Sequence, residues 1–184
     1  MGKTIQEVVA PQNFAPILPT VRVVRADYAS ASHARALVAV LDAYARDPMG
    51  GGEPLSDYAK AHVVAMLAER PQAFSVLAFE GLSDETPVGL VNCIEGFSTF
   101  ACAPLINVHD LAVMPGYRGQ RIGERMLALV QEIARTRGAC KLTLEVLSGN
   151  EGAMRLYRRF GFANYELDPA AGEAQFMQKW LSHH

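Results

Sequence analysis

The chain lacks the features of secreted, membrane-spanning and metal-binding proteins. It has three cysteines in 184 residues, widely separated and without a C-x-x-C pair, which argues against a disulfide framework and against a zinc site. No apolar run approaches the roughly 18 residues that a membrane helix needs. The first residues also lack the apolar core of a secretory signal. We therefore expect a cytoplasmic protein with no metal and no membrane partner.

A strong charge of either sign is absent as well. The formal net charge is −2 and the isoelectric point is near 6.2, whereas nucleic-acid-binding domains carry a basic excess, so we expect no nucleic-acid partner. Half of the residues are hydrophobic, which is enough for one globular domain with a substantial core. We predict an extended, proline-containing arm over residues 1–20 and a single domain over residues 21–182.

Hydrophobic periodicity predicts a mixed α/β fold with helices on both faces of one sheet. Because a strand–helix–strand passage implies parallel pairing, the passage over residues 105–146 predicts one parallel pair. We expect a mixed, mostly antiparallel sheet of six to seven strands and about four helices. The predicted strands are 21–25, 74–79, 87–97, 105–113, 141–146, 162–167 and 174–180, and the predicted helices lie near 37–45, 56–70, 119–136 and 150–161.

An arginine- and glycine-rich turn, residues 117–123, opens directly into the predicted helix at 119–136. The free backbone N–H groups of such a turn meet the positive end of a helix dipole, an arrangement that holds phosphate without any particular side chain. The glycines are not spaced as a dinucleotide fingerprint, and no Gly-Lys-Ser/Thr follows as in a Walker loop. The turn therefore predicts a pyrophosphate-bearing cofactor.

The turn resembles the coenzyme A loop of the GNAT superfamily of N-acyltransferases, whose pattern is Arg/Gln-x-x-Gly-x-Gly/Ala. Here Arg118, Arg121, Ile122 and Gly123 stand at those places. Arg121 replaces the usual glycine. With a negative φ the arginine is tolerated and can neutralise phosphate, whereas a positive φ would strain the loop by about 1 kcal/mol or more.

A second motif independently supports the same family. Its pattern, Asn-x-x-Ala-x-x-x-Tyr-x-x-x-Gly-Phe, is matched by Asn150, Ala153, Tyr157, Gly161 and Phe162. The two motifs come in the right order, about thirty residues apart, with a helix and a strand between them. The resemblance covers roughly residues 87–167, and the N-terminal half matches only in its order of elements.

The resemblance implies acetyl-coenzyme A as co-substrate, bound between two central parallel strands that splay apart. Backbone groups of the strand at 111–113 would pair with the pantetheine amides and polarise the carbonyl, and Tyr157 would assist the leaving thiolate. The implied cofactor-binding residues come from this strand, the turn and the short helix: Leu111, Ala112, Val113, Arg118, Gly119, Gln120, Arg121, Ile122, Gly123, Asn150, Ala153 and Tyr157.

The proton acceptor is open. His109 is the strongest side-chain candidate, because the reference pKa of histidine, about 6.5, suits proton transfer. By the period of two it also shares a strand face with Asn107, Leu111 and Val113. Asp110 points the other way unless a bulge re-phases the strand.

Other side chains near the predicted cleft could have either a structural role or a functional one. Glu95 on the preceding strand could approach the cleft, and Cys93 could act as a nucleophile with His109. Phe97 and Phe100 are expected in the core, although they could line an acceptor pocket. The loop at 47–53 is either a connector or a rim over the acceptor site, where its acids would attract an amine.

The function implied is an N-acetyltransferase acting on a primary amine, with a small molecule favoured as acceptor. Direct transfer is expected because no activated nucleophile is evident. The alternative is a non-catalytic regulatory domain that binds acyl-coenzyme A. A homodimer through C-terminal edge strands is compatible with the resemblance, and the identity of the acceptor stays open.

Overall fold

Five strands and four helices form from the alternating hydrophobic segments in the described part of this computed structural model, residues 20–165 and 175–181. The strands are β1 (Val21–Arg25), β2 (Ala73–Glu80), β3 (Pro87–Ser98), β4 (Ala103–Val113) and β5 (Leu142–Leu144). The helices are α1 (Ala31–Ala45), α2 (Asp57–Ala68), α3 (Ile122–Thr136) and α4 (Glu151–Phe160), and a single 3₁₀ turn spans Pro115–Tyr117. None of these helices combines the length and the apolar composition that a bilayer span requires.

The strands lie in sequence order in one sheet, β1-β2-β3-β4-β5. The first four pair antiparallel, and β4 pairs parallel with β5. The predicted mixed sheet with a parallel pair and four helices is thereby confirmed. The described residues contain five strands rather than six to seven, however, and β5 is shorter than the predicted 141–146.

The missing strands are those predicted at the C-terminus. Residues 162–165 and 175–181 form no strand, while residues 166–174 lie outside the described ranges. The predicted N-terminal arm, residues 1–20, also lies outside them except for Thr20. Within the described residues the sheet therefore ends at β1 on one side and at β5 on the other.

The core has two parts, one on each face of the sheet, which we call the α3 face and the α1 face after the helices that cover them. Alternation along the strands produces this division. On the α3 face, the buried strand residues Phe74, Val76, Val91, Cys93, Ile106 and Val108 pack against Ile122, Met126, Leu127 and Val130. On the α1 face, Leu77, Phe79, Leu90 and Ala112 pack against Ala36, Leu37 and Val40.

Helix α2 begins as predicted but lies at the periphery of the core. Ser56 caps it, since its hydroxyl accepts a hydrogen bond from the backbone N–H of Ala59 at 3.1 Å. No residue of α2 is fully buried, and Met66 is exposed. The helix packs beside α1 and against β2, and its Val63, Val64 and Leu67 pack against the α1-face core.

A β-bulge interrupts the pairing of β3 with β4. Asn92 faces Asp110 and Cys93 faces Val108, which leaves His109 as the extra residue. The bulge shifts the alternation, so that Val108 and Leu111 both belong to the α3 face. The sequence-based prediction of one shared face from residue 107 to residue 113 is therefore wrong, because the period of two does not continue through a bulge.

Candidate active site

A cleft opens where β4 and β5 part. The last residues at which β4 and β5 pair are Val108 and Leu144. Beyond them β4 continues to Val113, paired only with β3. Each strand then leads into a helix, so the N-termini of α3 and α4 point to the same cleft. A cavity of about 440 Å³ lies there, lined by residues 111–113 of β4, by the following turn, by the first turns of α4, and by Tyr44, Asp47 and Met49.

The open side of β4 carries backbone groups that do not pair with β3. The N–H of Met114 donates to the carbonyl of Val88 at 2.9 Å, which places the backbone groups of residues 114, 112 and 110 towards β3. The N–H and C=O groups of Leu111 and Val113 therefore point away from β3, towards the space that β5 has left. Apart from the Val113 carbonyl, which accepts a hydrogen bond from Arg118, an extended ligand chain can pair with them as an added strand would.

The turn before α3 presents a row of free donors. The backbone N–H groups of residues 119–121 make no hydrogen bond with the described residues. Residues 122–124 open the helix, where N–H groups have no intrahelical acceptor. Their positive partial charges add to the helix dipole. The turn can therefore bind an anion through its backbone.

The sequence left the sign of φ at Arg121 open, and the structure has the positive, strained value. Its φ is 58° and its ψ is 20°, in the left-handed region, where a non-glycine residue costs about 1–2 kcal/mol. The side chain of Arg121 does not cap the helix, is exposed and lines the cavity. Arg121 thus combines a strained backbone with a positive charge beside the free N–H groups.

Gly123 allows α3 and α4 to approach closely. A Cβ built at this position would lie 2.8 Å from Cδ2 of Leu156 on α4, which is closer than a side chain tolerates. Ile122 beside it is buried in the α3-face core. The last positions of the turn motif therefore fix the helix start and its distance to α4. Gln120, in contrast, does not line the cavity, and its side-chain amide donates to the carbonyl of Gly116 at 3.4 Å.

Arg118 is held by two acceptors across the cavity mouth. Its Nε donates to the carbonyl of Val113 at 3.0 Å, and its Nη2 donates to Oδ2 of Asp47 at 2.7 Å. The hydrogen bond from Arg118 lowers the pKa of Asp47 below its usual value. The loop that follows α1 is thereby tied to the turn at 117–123.

Positive charge dominates the cavity wall. Arg118, Arg121, Arg155 and Arg159 line it, against the single carboxylate of Asp47. Arg155 pairs with Glu151 at 3.1 Å and Arg159 with Glu124 at 2.7 Å. No ion pair joins Arg121 to the described residues, so this guanidinium is available to an anionic ligand.

The second motif builds the other wall. Oδ1 of Asn150 accepts a hydrogen bond from the N–H of Ala153 at 3.1 Å, which confirms Asn150 as the cap of α4. Gly161 ends the helix with a φ of 102°, as the sequence predicted. Asn150 and Ala153 both line the cavity. Their contact with a cofactor stays a prediction.

Tyr157 lies behind this wall rather than on it. It is 8% exposed, belongs to the α3-face core and packs edge-on against Phe162. Its hydroxyl makes no hydrogen bond with the described residues. It is not fully buried, however, because Arg22 Nε is the one fully buried side-chain polar atom in the described part of the chain that lacks a partner. The hydroxyl thus keeps some solvent contact, and burial of the side chain raises the pKa of Tyr157 to about 12.

Several other candidates are placed away from the cleft or deprived of reactivity. Glu95 pairs with Arg137 after the C-terminal end of α3, at 2.9 Å, so it does not reach the cleft. Phe97 is 60% exposed and Phe100 fully exposed, so the expectation that they fill the core is wrong. Burial raises the pKa of Cys93 to about 12, which leaves its thiol protonated and argues against a nucleophilic role.

The structure also brings in residues that the motifs did not indicate. Tyr44 and Asp47 come from α1 and its following loop, more than sixty positions before residues 111–113 of β4, and line the cavity. The sequence placed Tyr44 only within the predicted helix near 37–45, and no spacing rule links it to residues 111–123. Asp47 belongs to the loop at 47–53, which the sequence predicted as either a connector or a rim over the acceptor site.

Comparison with known proteins matches this arrangement to one family. A family model described as the acetyltransferase (GNAT) family matches residues 37–162. The chain belongs to the acetyltransferase (GNAT) family. The resemblance inferred from the two motifs is thereby confirmed.

Among curated GNAT-related proteins, the chain is similar to a streptothricin acetyltransferase from Streptomyces lavendulae, with 43% identity over 65 residues, 35% of this chain and 34% of that protein. It is also similar to a thialysine N-epsilon-acetyltransferase from Bos taurus, with 43% identity over 56 residues, 30% of this chain and 33% of that protein. The matched segments thus span about a third of these relatives.

Solved structures match over most of the chain. A probable acetyltransferase superimposes with a TM-score of 0.72 at 17% identity, covering 88% of this chain and 99% of that one. An aminoglycoside acetyltransferase from an uncultured soil metagenomic sample, in complex with sisomicin, gives a TM-score of 0.66 at 15% identity, covering 89% and 97%. At such identities the likeness establishes the GNAT fold alone.

Proposed function

We propose that this GNAT protein transfers the acetyl group of acetyl-coenzyme A to a primary amine by direct transfer. The observation that carries the proposal is the convergence of two helix N-termini on a cleft between parting parallel strands. The free N–H groups of residues 119–124 and the exposed Arg121 suit a pyrophosphate. The outward backbone groups of Leu111 and Val113 suit the amides of a pantetheine arm.

Acetyl-coenzyme A supplies a thioester whose carbonyl carbon accepts the amine and whose sulfur leaves. The chain contributes orientation and charge stabilisation. The N–H of Leu111 or Val113 polarises the carbonyl oxygen, since a backbone donor already in place stabilises the charge that develops there.

Tyr157 acts as a hydrogen-bond donor to the leaving sulfur. With a pKa of about 12 the phenol is protonated throughout the neutral range. Complete proton transfer to a thiolate, whose reference pKa is about 8.5, would be uphill by about 5 kcal/mol. A hydrogen bond to the forming thiolate avoids most of this cost while still lowering its energy.

The acceptor is a small-molecule amine in this proposal. Two similar proteins carry streptothricin and thialysine in their names, and a structural neighbour was solved with sisomicin. His109 lies at the bulge of β4, exposed and without a hydrogen-bond or ion-pair partner among the described residues, and remains a candidate proton acceptor. The cytoplasmic location and the homodimer also remain predictions.

Turnover with a panel of amines tests the proposal. Thiol release from acetyl-coenzyme A would be followed with streptothricin, thialysine and sisomicin, and the products identified by mass spectrometry. We expect amine-dependent release and no acetyl adduct on the protein when the amine is omitted. Binding of acetyl-coenzyme A without release by any amine would instead favour the non-catalytic regulatory domain.

A further inference from the structure

A row of hydrogen-bonded polar side chains crosses the α1 face of the sheet. Ser75 on β2, Asn92 on β3 and Asp110 on β4 stand directly opposite one another in the register. Ser75 Oγ lies 2.6 Å from Asn92 Oδ1, and Asn92 Nδ2 lies 2.9 Å from Asp110 Oδ2. At the far end, the hydroxyl of Tyr28 lies 2.9 Å from Ser75 Oγ.

The hydrogens in this row can point in one direction only. A carboxylate accepts, so Asn92 donates through Nδ2 and its Oδ1 must itself be an acceptor. Ser75 gives its single proton to that oxygen, which leaves Tyr28 as the donor to Ser75. Burial raises the pKa of Tyr28, so its phenol keeps the proton that this arrangement needs. Every donor in the row thus points towards Asp110.

The row is not required to hold the sheet together. Ser75 and Asn92 are 0% and 5% exposed, and their neighbours on the same face are apolar, Leu77 and Leu90. Replacing a buried hydrogen-bonded set by apolar groups of similar shape is nearly neutral for stability. The specific consequence of the row is that it fixes one carboxylate, that of Asp110.

Asp110 lies beside the cleft, although it does not itself line the cavity. It follows the bulge directly and lies beyond Val108, the last residue of β4 that pairs with β5. It shares a face with Ala112, which lines the cavity and is about 7 Å further along the strand. The pKa of Tyr44, another cavity-lining residue, is raised mainly by burial and next by the negative charge of Asp110.

Few titratable groups surround this carboxylate. Tyr44 faces it from α1, Cys93 interacts with it electrostatically from β3, and His109 precedes it in the bulge. No ion pair joins Asp110 to the described residues, so its charge is not neutralised by a neighbouring arginine or lysine. The carboxylate is therefore free to receive a cationic amine.

We propose that Asn92, with Ser75 and Tyr28 behind it, is a positioning residue that holds the Asp110 carboxylate as the proton acceptor for the amine. The inference rests on the proposed function. One N–H bond of the ammonium breaks, its proton passes to Asp110, and the electron pair stays on nitrogen. That pair forms the new C–N bond, the C–S bond breaks with its pair on sulfur, and the second amine proton goes to the thiolate. Asp110 then returns its proton to solvent.

The test compares Asp110→Asn, Asn92→Leu and Tyr28→Phe with wild type, using the amine of the panel that turns over fastest. We expect kcat to fall about 100-fold in Asp110→Asn, about 10-fold in Asn92→Leu and less in Tyr28→Phe. The affinity for acetyl-coenzyme A should not change. In Asn92→Leu and Tyr28→Phe the loss should fall on kcat, with the KM for the amine near its wild-type value, because the carboxylate is still present to receive the ammonium.

Matched controls separate positioning from general damage to the fold. Ser98→Ala removes a hydroxyl of similar burial at the far end of β3, and Tyr165→Phe removes an exposed phenol outside the cavity. Both should keep wild-type kcat and KM. Wild-type kcat in Asn92→Leu and Tyr28→Phe, or full turnover in Asp110→Asn, would overturn the inference.

A second measurement is independent of turnover. The side-chain amide of Asn92, assigned in NMR spectra by its loss in Asn92→Leu, should shift in both Asp110→Asn and Tyr28→Phe. An amide that responds to neither change would show that the row does not exist in solution. If wild type binds no acetyl-coenzyme A but the amide responds as expected, the proposed function fails while the geometry of the row stands.

Discussion

On the α3 face of the sheet the candidate site is built mainly from backbone groups, whereas on the α1 face it is built from side chains. The turn at 118–123, the outward groups of β4 and the starts of α3 and α4 form the first part. The row from Tyr28 to Asp110 forms the second, with three of its members on three different strands. The first part therefore depends on local geometry and the second on the register between strands.

The largest expected effect is on the pH dependence of stability, through Cys93 in the apolar interior of the α3 face. Burial raises the pKa of Cys93 from 9.0 to about 12, so its contribution to stability is intact below about pH 9 and is lost as the pH rises towards 12. The loss amounts to about 4 kcal/mol at most. Unfolding of Cys93→Val, followed by denaturant titration between pH 8 and about pH 12, should depend less on pH than that of wild type.

Cys140→Val is the matched control, because Cys140 is exposed. Its stability should follow the same pH dependence as wild type. If Cys93→Val and Cys140→Val behave alike, the interior of the α3 face is more accessible to water than its burial indicates.

Tyr157→Phe tests whether the α3 face contributes any side-chain chemistry at all. We expect kcat to fall about 100-fold, because the hydrogen bond to the leaving sulfur is lost. The acetyl-coenzyme A dissociation constant should stay at its wild-type value, as measured by calorimetry. Wild-type kcat in Tyr157→Phe would restrict side-chain chemistry to the α1 face.

Arg121→Gly separates backbone strain from charge in the turn. Removing a left-handed non-glycine residue should raise the free energy of unfolding by about 1 kcal/mol. The loss of the guanidinium should weaken acetyl-coenzyme A binding by about 3- to 10-fold.

Cys102→Gly is the control for this substitution, because Cys102 also has a positive φ, 47°, but lies in the β3–β4 hairpin. It should gain stability without any change in binding. Unchanged affinity in Arg121→Gly would mean that the backbone alone holds the phosphates.

Asp47→Asn probes the link between the loop after α1 and the turn at 117–123, and should have the smallest effect. Exposed ion pairs contribute about 0.2–1 kcal/mol, so freeing Arg118 should tighten acetyl-coenzyme A binding by about 1.4- to 5-fold. Asp84→Asn, which removes an ion pair with Arg22 outside the cavity, should leave binding unchanged. Weaker binding in Asp47→Asn would instead make Asp47 part of the cofactor site.

The sequence predicts the backbone-built part of the site well, because that part is encoded in short segments. The cap at Asn150, the stop at Gly161 and the start of α3 after the turn each depend on residues within a few positions of one another. The same locality made two motifs sufficient to recognise the family.

The side-chain part could not be predicted, because it depends on contacts between distant segments. Nothing in residues 103–113 marks a bulge at His109, which has neither glycine nor proline beside it, and the bulge decides which residues share a face. The row from Tyr28 to Asp110 needs the register of three strands. The sign of φ at Arg121 likewise depends on how the turn joins β4 to α3.

Calorimetric titration with acetyl-coenzyme A and, in parallel, with a desulfo-pantetheine fragment that lacks the nucleotide diphosphate tests the central claim most directly. The backbone-built turn predicts micromolar binding of the whole cofactor and none of the fragment, since most of the affinity comes from phosphate held by free N–H groups. Equal binding of both ligands, or no binding of acetyl-coenzyme A, would contradict the assignment of residues 118–123 as the phosphate site.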